Sequence, residues 1–141
     1  MAYKFLPHTA DVKILATGKN LEEAFKDSVF ALKDTILDFE KFKVKPLIKK
    51  QIKVEEKDYE ALLYSFLEEI IYLLDAEDFL VSKVKKIKID KEKNLLKLNA
   101  EILGDKASKY KFTNKVKAIT YNEMFVKVRK EKCIIQFVLD V

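Results

Sequence analysis

The segment from Asp58 to Leu74 limits the possible folds more than any other. Leu62, Leu63, Phe66, Leu67, Ile70, Ile71 and Leu74 recur at helical spacing, which puts their side chains on one broad apolar face. A helix with so wide a face must be covered, so it is expected at the centre of the core. Asp58 is placed to cap its N-terminus, and the Glu68-Glu69 pair falls on the solvated side. Further along, Leu96, Leu98, Ala100 and Ile102 alternate with Lys97, Asn99 and Glu101. That period belongs to a half-buried strand.

The other segments complete the layers. Tyr3 to His8 reads as a first strand, and Val12 to Ala16 as a second, closed by Gly18. Asn20 caps a helix, with Glu23 completing a capping-box pattern; Leu21, Ala24, Phe25, Val29, Leu32 and Ile36 form its buried stripe. After a turn at Pro46, Leu47 to Val54 makes a strand with a lysine-rich polar face. Ile87 and Ile89 end a strand, and Asp90 to Lys93 turn the chain. Val126 and Val128 alternate with Lys127 and Arg129, and Lys130 to Lys132 lead into a last strand, Cys133 to Leu139. That strand is apolar on both faces apart from Gln136, so it should be central. The expected fold is α+β: a single domain over residues 1–141, with two main helices packed on one mixed, largely antiparallel sheet.

Composition excludes several functions. The chain has 141 residues, 49% of them hydrophobic, enough for a real core. Two glycines in total rule out a phosphate-binding P-loop. There is no GxSxG elbow, CxxC pair or HExxH helix, which argues against a self-contained NTPase, hydrolase or zinc enzyme. No apolar run approaches the roughly 20 residues that cross a bilayer. With no signal-peptide pattern at Met1-Ala2-Tyr3-Lys4, a cytoplasmic protein without a membrane partner is expected. Cys133, the only cysteine, is expected to be a buried structural thiol. The net charge of +5 permits a nucleic-acid or acidic partner. Lysines gather at 41, 43, 45, 49, 50 and 53 and again at 83, 85, 86 and 88, near Phe39, Phe42 and Phe79. They read either as a solvated face or as an RNA-binding surface with stacking aromatics.

A few side chains could carry chemistry. Asp11 sits between the turn-like Pro7-His8-Thr9-Ala10 and an apolar strand. Asp140 directly follows Phe137-Val138-Leu139. A carboxylate beside a hydrophobic strand is costly to desolvate unless something pairs with it. If the two meet, a bound cation would relieve their repulsion, and the Val141 carboxylate would add a third anionic group. Such oxygen-only ligands suit a hard cation. The other reading is that both aspartates cap turns. His8, the only histidine, is either a hydrogen-bonded turn residue or a ligand. Lys117 precedes Ala118-Ile119-Thr120-Tyr121 and is either a solvated charge or a partner for a carboxylate or phosphate.

Together these pieces resemble the archease family. His8-Thr9-Ala10-Asp11 is similar to its opening motif, and Gly18 with Glu23-Ala24-Phe25 to its next segment. Asp58, Leu62-Leu63 and Leu67-Glu68-Glu69 resemble its second helix. Val116-Lys117-Ala118-Ile119-Thr120-Tyr121 resembles its late Lys-Ala-x-Thr-Tyr motif, and Val138-Leu139-Asp140-Val141 its ending. Phe66 and Glu68 stand where the family often has Trp and Asn. The resemblance implies a non-enzymatic cofactor of an RtcB-type RNA ligase, which seals tRNA halves after forming a covalent guanylate from GTP. It implies Asp11, Asp140 and the Val141 backbone oxygen as ligands of a divalent metal. Calcium is the first expectation, with magnesium or manganese as alternatives. Lys117 is implied as an activity-supporting residue, with His8 and Thr9 supporting Asp11. A basic RNA-binding module, a chaperone-like modulator and a metal-dependent enzyme using Asp11, Asp140 and Lys117 are the rival readings.

Overall fold

The computed structural model describes residues 3–6, 11–37 and 43–141. The elements run β1 (Tyr3–Leu6), β2 (Val12–Gly18), α1 (Leu21–Ile36), β3 (Ile48–Glu56), α2 (Tyr59–Glu77), β4 (Phe79–Glu92), β5 (Leu95–Lys106), a short 3-10 turn (Ala107–Lys109), β6 (Ala118–Val128) and β7 (Cys133–Asp140). Both helices start where their caps predict. The Asn20 side chain accepts from the Glu23 N–H at 2.8 Å, and Asp58 accepts from the Ala61 N–H at 2.8 Å. Each cap satisfies a donor that the first turn leaves open, a contribution of about 1 kcal/mol. Every apolar residue of the α2 stripe is buried. Along α1, Ala24, Phe25, Val29, Leu32 and Ile36 are buried, while Leu21 packs partly exposed at the edge of the core.

The α+β class and the two helices match expectation, but the strands divide into two sheets rather than one. Their orders are β1-β2-β7-β6 and β3-β5-β4, and all described pairings are antiparallel. The helices join the sheets: α1 packs on β2 and β4, and α2 on β6 and β3. Phe25 of α1 stacks on Phe66 of α2, with ring centroids 6.1 Å apart. β7 is central, between β2 and β6. Cys133 is fully buried within it, and burial pushes its thiol up to about 11, so it stays protonated and inert.

Two boundaries differ most from the sequence reading, the start of β4 and the turn that follows it. β1 is described only to Leu6, and the stretch through His8 lies outside the described residues. β4 begins at Phe79, directly after α2. Phe79, Leu80 and Val81 are all buried, and two register slips follow, between Val81 and Lys83 and between Val84 and Lys86. Burial on both faces and these bulges hide the strand's period. The following turn is Lys93-Asn94 and not Asp90 to Lys93, because Asp90 still pairs with Lys97 and Glu92 with Leu95. Lys93 adopts the left-handed conformation (φ 58°) that a tight hairpin requires.

Two acids, the buried Asp105 and the half-buried Asp34, fix the layout. Asp105 accepts from the Tyr110 hydroxyl at 2.8 Å, the Lys106 N–H at 2.8 Å and the Lys109 ammonium at 3.1 Å. Burial opposes its charge, but these hydrogen bonds and the Lys109 charge hold its carboxyl below the usual range. This clasp sets the path of the segment that leads to Lys117. Asp34 on α1 is the opposite case. It accepts a hydrogen bond from the Tyr3 hydroxyl, tying edge strand β1 to the helix. Its Oδ1 is buried and accepts no hydrogen bond among the described residues; the Lys33 ammonium stands 3.9 Å away. Burial pushes its carboxyl up to about 6.

A carboxyl raised in the folded state binds its proton more tightly there than in the unfolded chain. The stability it contributes is therefore full below its ordinary value near 3.8 and is lost as pH rises through about 6. Asp34→Asn removes that loss. It is expected to raise the melting temperature at pH 8 relative to the parent, by roughly 1–2 kcal/mol of stability, and to differ little at pH 4. An identical pH profile for parent and variant would refute this assignment.

Candidate functional site

β2, β7 and β6 lie side by side, and their registers bring distant parts of the chain to one end of the sheet. Val12 pairs with Leu139. Continued by one residue, that register sets Asp11 opposite Asp140. Ala118 pairs with Asp140, so Lys117 stands beside the end of β7. The Lys117 N–H donates to the Asp140 carbonyl at 2.7 Å. Opposed residues in antiparallel strands have Cα atoms roughly 4.5–5.5 Å apart.

Strand alternation then orients the side chains. Ile14 and Ala16 of β2, and Ile135, Phe137 and Leu139 of β7, are buried beneath the helices. Asp11 and Asp140 therefore share the opposite, outer face. Both are partly exposed. Lys117 is exposed and adjoins the buried Val116 and Ile119. The three residues chosen from sequence thus come to one strand end, with Lys117 joined to Asp140 through the backbone. His8 and Thr9 lie outside the described residues.

Among the described residues, no group of three or more His, Cys, Asp or Glu side chains forms a metal-binding cluster. The local donors are two carboxylates and backbone oxygens, which is a hard-cation set. It fits calcium or magnesium as part of a shell, since calcium takes about 6–8 oxygens and the remainder would come from water or a partner.

Sequence reasoning missed Lys13 and Glu123. Lys13 is on the Asp11 face, and its ammonium meets the Glu123 carboxylate at 3.2 Å. Between Thr120 and Phe125 the β6 register slips, so residues 121–124 bulge, with Glu123 in the left-handed region (φ 56°). The Gln136 amide donates to the Glu123 carbonyl at 2.8 Å, drawing the bulge onto the outer face of β7. There Val138 is fully buried, apart from the main core cluster. A four-residue irregularity inside a strand leaves no period to detect, and only the polar pair Asn122-Glu123 interrupting the strand hints at it.

On the side facing α2, Tyr121 stacks flat on Tyr64, with centroids 4.1 Å apart and planes 2° from parallel. Tyr121 is 55% exposed. Partial burial and then the negative charges of Glu56, Asp58 and Glu68 hold its phenol above the ordinary value, so it stays protonated. Phe79, weighed as a stacking residue for RNA, is in the core, 2% exposed; Phe39 and Phe42 lie outside the described residues.

Comparison with known proteins covers nearly the whole chain. The profile of the Archease protein family matches residues 3–141. The chain is 40% identical to a protein archease from Thermococcus kodakarensis over 136 residues, 94% of each chain. It is 35% identical to a protein archease from Pyrobaculum neutrophilum over 142 residues, 99% of this chain and 95% of that one. Its fold is similar to the solution structure of Methanobacterium thermoautotrophicum protein 1598, with a TM-score of 0.82, 25% identity and 99% of both chains covered. A crystal structure from Thermotoga maritima, described as an archease and possible chaperone, matches with a TM-score of 0.61 at 18% identity. It covers 98% of this chain and 96% of that one, and supports the fold alone.

Proposed function

The chain belongs to the archease family, and from that premise we propose that it is a non-enzymatic cofactor of an RtcB-type RNA ligase, promoting the ligase's guanylylation and repeated turnover in tRNA splicing. The observation that carries this reading is the strand register that sets Asp11 opposite Asp140, with Lys117 bonded to the Asp140 backbone. These are the positions the family resemblance marks, and they come from both ends of the chain.

In this proposal Asp11, Asp140 and a Val141 backbone oxygen hold a divalent cation, with calcium preferred and magnesium or manganese accepted by the same donors. Bound there, the cation supplies positive charge that can neutralise phosphate oxygens. The chain's own residues shape the surface that meets the ligase. The two carboxylates select a hard cation, and the exposed Lys117 ammonium offers a further point charge to a phosphate. The Lys117–Asp140 backbone bond keeps these groups together. The Lys13–Glu123 pair secures the neighbouring bulge. The ligase brings GTP and tRNA, so contact with them is indirect. No described helix is long and apolar enough to cross a membrane; the site of action is proposed to be cytoplasmic because the ligase reading places it with tRNA splicing.

The test is the single-turnover guanylylation rate of a matched RtcB-type ligase, with and without this protein, in defined divalent metal. A several-fold acceleration is expected. An unchanged rate with a competent ligase would refute the reading. Suppression of partner aggregation without any change in that rate would instead favour the chaperone-like role suggested for the Thermotoga maritima protein.

A further inference from the structure

The outer face of the β3-β5-β4 sheet is divided by charge. At one end, Lys97 lies 3.1 Å from Glu92 and 3.9 Å from Glu55. The hydrogen bond and charge of Glu92, and then the charge of Glu55, hold its ammonium above the ordinary value. That half neutralises itself. Toward the other end, the register builds three successive rows: Lys53-Asn99-Lys88, Gln51-Glu101-Lys86 and Lys49-Leu103-Lys83. The slip between Val84 and Lys86 sets an additional residue, Lys85, against the same Glu101, so the bulge raises the local density of cations.

All six of these lysines are exposed. Lys88 is loosely paired with Asp90 at 3.8 Å. Among the described residues no ion pair holds Lys49, Lys53, Lys83, Lys85 or Lys86. Neighbouring strands are about 4.8 Å apart and same-face residues about 6.8 Å apart along a strand. The result is a lysine-rich patch around Glu101, in which six cations share one nearby carboxylate and carry a net positive charge.

The composition of the patch selects its partner. Protein interfaces are depleted in lysine and anchored by aromatic and apolar side chains, and among the described residues this half-face presents no aromatic. A polyanion that needs only point charges and a few amide hydrogen bonds fits better. Lysine contacts to phosphate supply sequence-independent affinity of that kind. We propose that this lysine half-face binds the phosphate backbone of RNA. The choice of RNA among polyanions rests on the ligase reading above. With no aromatic platform for unpaired bases among its described residues, the face is proposed to take the backbone of a folded stem rather than a single strand.

The experiment measures binding of a short labelled RNA hairpin to the full chain by fluorescence anisotropy over a range of salt. With about four phosphates engaged, affinity should fall roughly 100-fold between about 50 and 200 mM salt. The variant Lys53→Gln/Lys83→Gln/Lys86→Gln/Lys88→Gln should bind at least tenfold more weakly with a shallower salt slope. The matching four Lys→Arg substitutions should retain binding. The proposal is overturned if the wild-type chain fails to bind at low salt, or if the glutamine variant binds equally well. Binding to phosphatidylserine vesicles without binding to the hairpin would also overturn it, in favour of a lipid surface. Wild-type stimulation of guanylylation, which needs no RNA, is read separately. Its absence would defeat the ligase reading, whereas absence of hairpin binding would defeat this one alone.

Discussion

Asp140→Asn is expected to return ligase guanylylation to its unstimulated rate while leaving thermal unfolding of the protein unchanged. The substitution removes one charge and keeps the shape of the side chain. Its stability cost should be small because the Asp140 side chain lies partly exposed on the outer face, and the backbone carbonyl that receives the Lys117 N–H is retained. The effect on metal should be large. Groups that merely orient a metal's ligands contribute about 10–100-fold to affinity, so loss of a direct carboxylate should weaken calcium binding by about 100-fold or more. Calorimetric titration with calcium and single-turnover guanylylation read the two effects separately. Asp11→Asn should behave in the same way, since it supplies the opposing carboxylate. Lys117→Ala should retain calcium affinity and lose stimulation, which separates a metal-holding role from a phosphate-facing one. Unaltered calcium binding and full stimulation by both aspartate variants would remove the metal site from the mechanism.

Residues 11, 117 and 140 could be singled out in the sequence because each adjoins an apolar strand, but nothing in their spacing says that they meet. That follows from register, which depends on which strands are neighbours. The central place of β7 was legible, since a strand apolar on both faces must be covered on both. Once β7 is placed between β2 and β6, alternation carries Asp11 and Asp140 to the same face. The helices were equally legible, because caps and a 3.6-residue period are local signals. Less visible was the division of the strands into two sheets, which arises from how α1 and α2 each bridge a pair of strands. Nor were the β4 and β6 irregularities visible. A bulge breaks the alternation by which a strand is recognised, so Lys85, Lys86 and Glu123 fall where the pattern goes silent.

The site rests on a core in which one ring links the two helices. Phe66 is fully buried and stacks on Phe25, so it is a direct contact between the two helices that bridge the sheets. Phe66→Ala is expected to destabilise the protein by about 3–5 kcal/mol, from lost apolar transfer and the cavity left behind. Typical domains are stable by only about 5–15 kcal/mol, so much of the margin would go. α2 packs on β6 as well as β3, and β6 leads directly from Lys117. Loosening α2 should therefore disturb the Lys117 strand end before the chain unfolds globally. Urea denaturation of parent and variant would give the stability change, and hydrogen exchange at the Lys117 amide would report the local effect. Phe66→Leu, which leaves a smaller void, should lose less than half as much. A loss below about 1 kcal/mol for Phe66→Ala would mean that α1 and α2 collapse readily into the space, and that the Phe25–Phe66 contact does not set the geometry of the site.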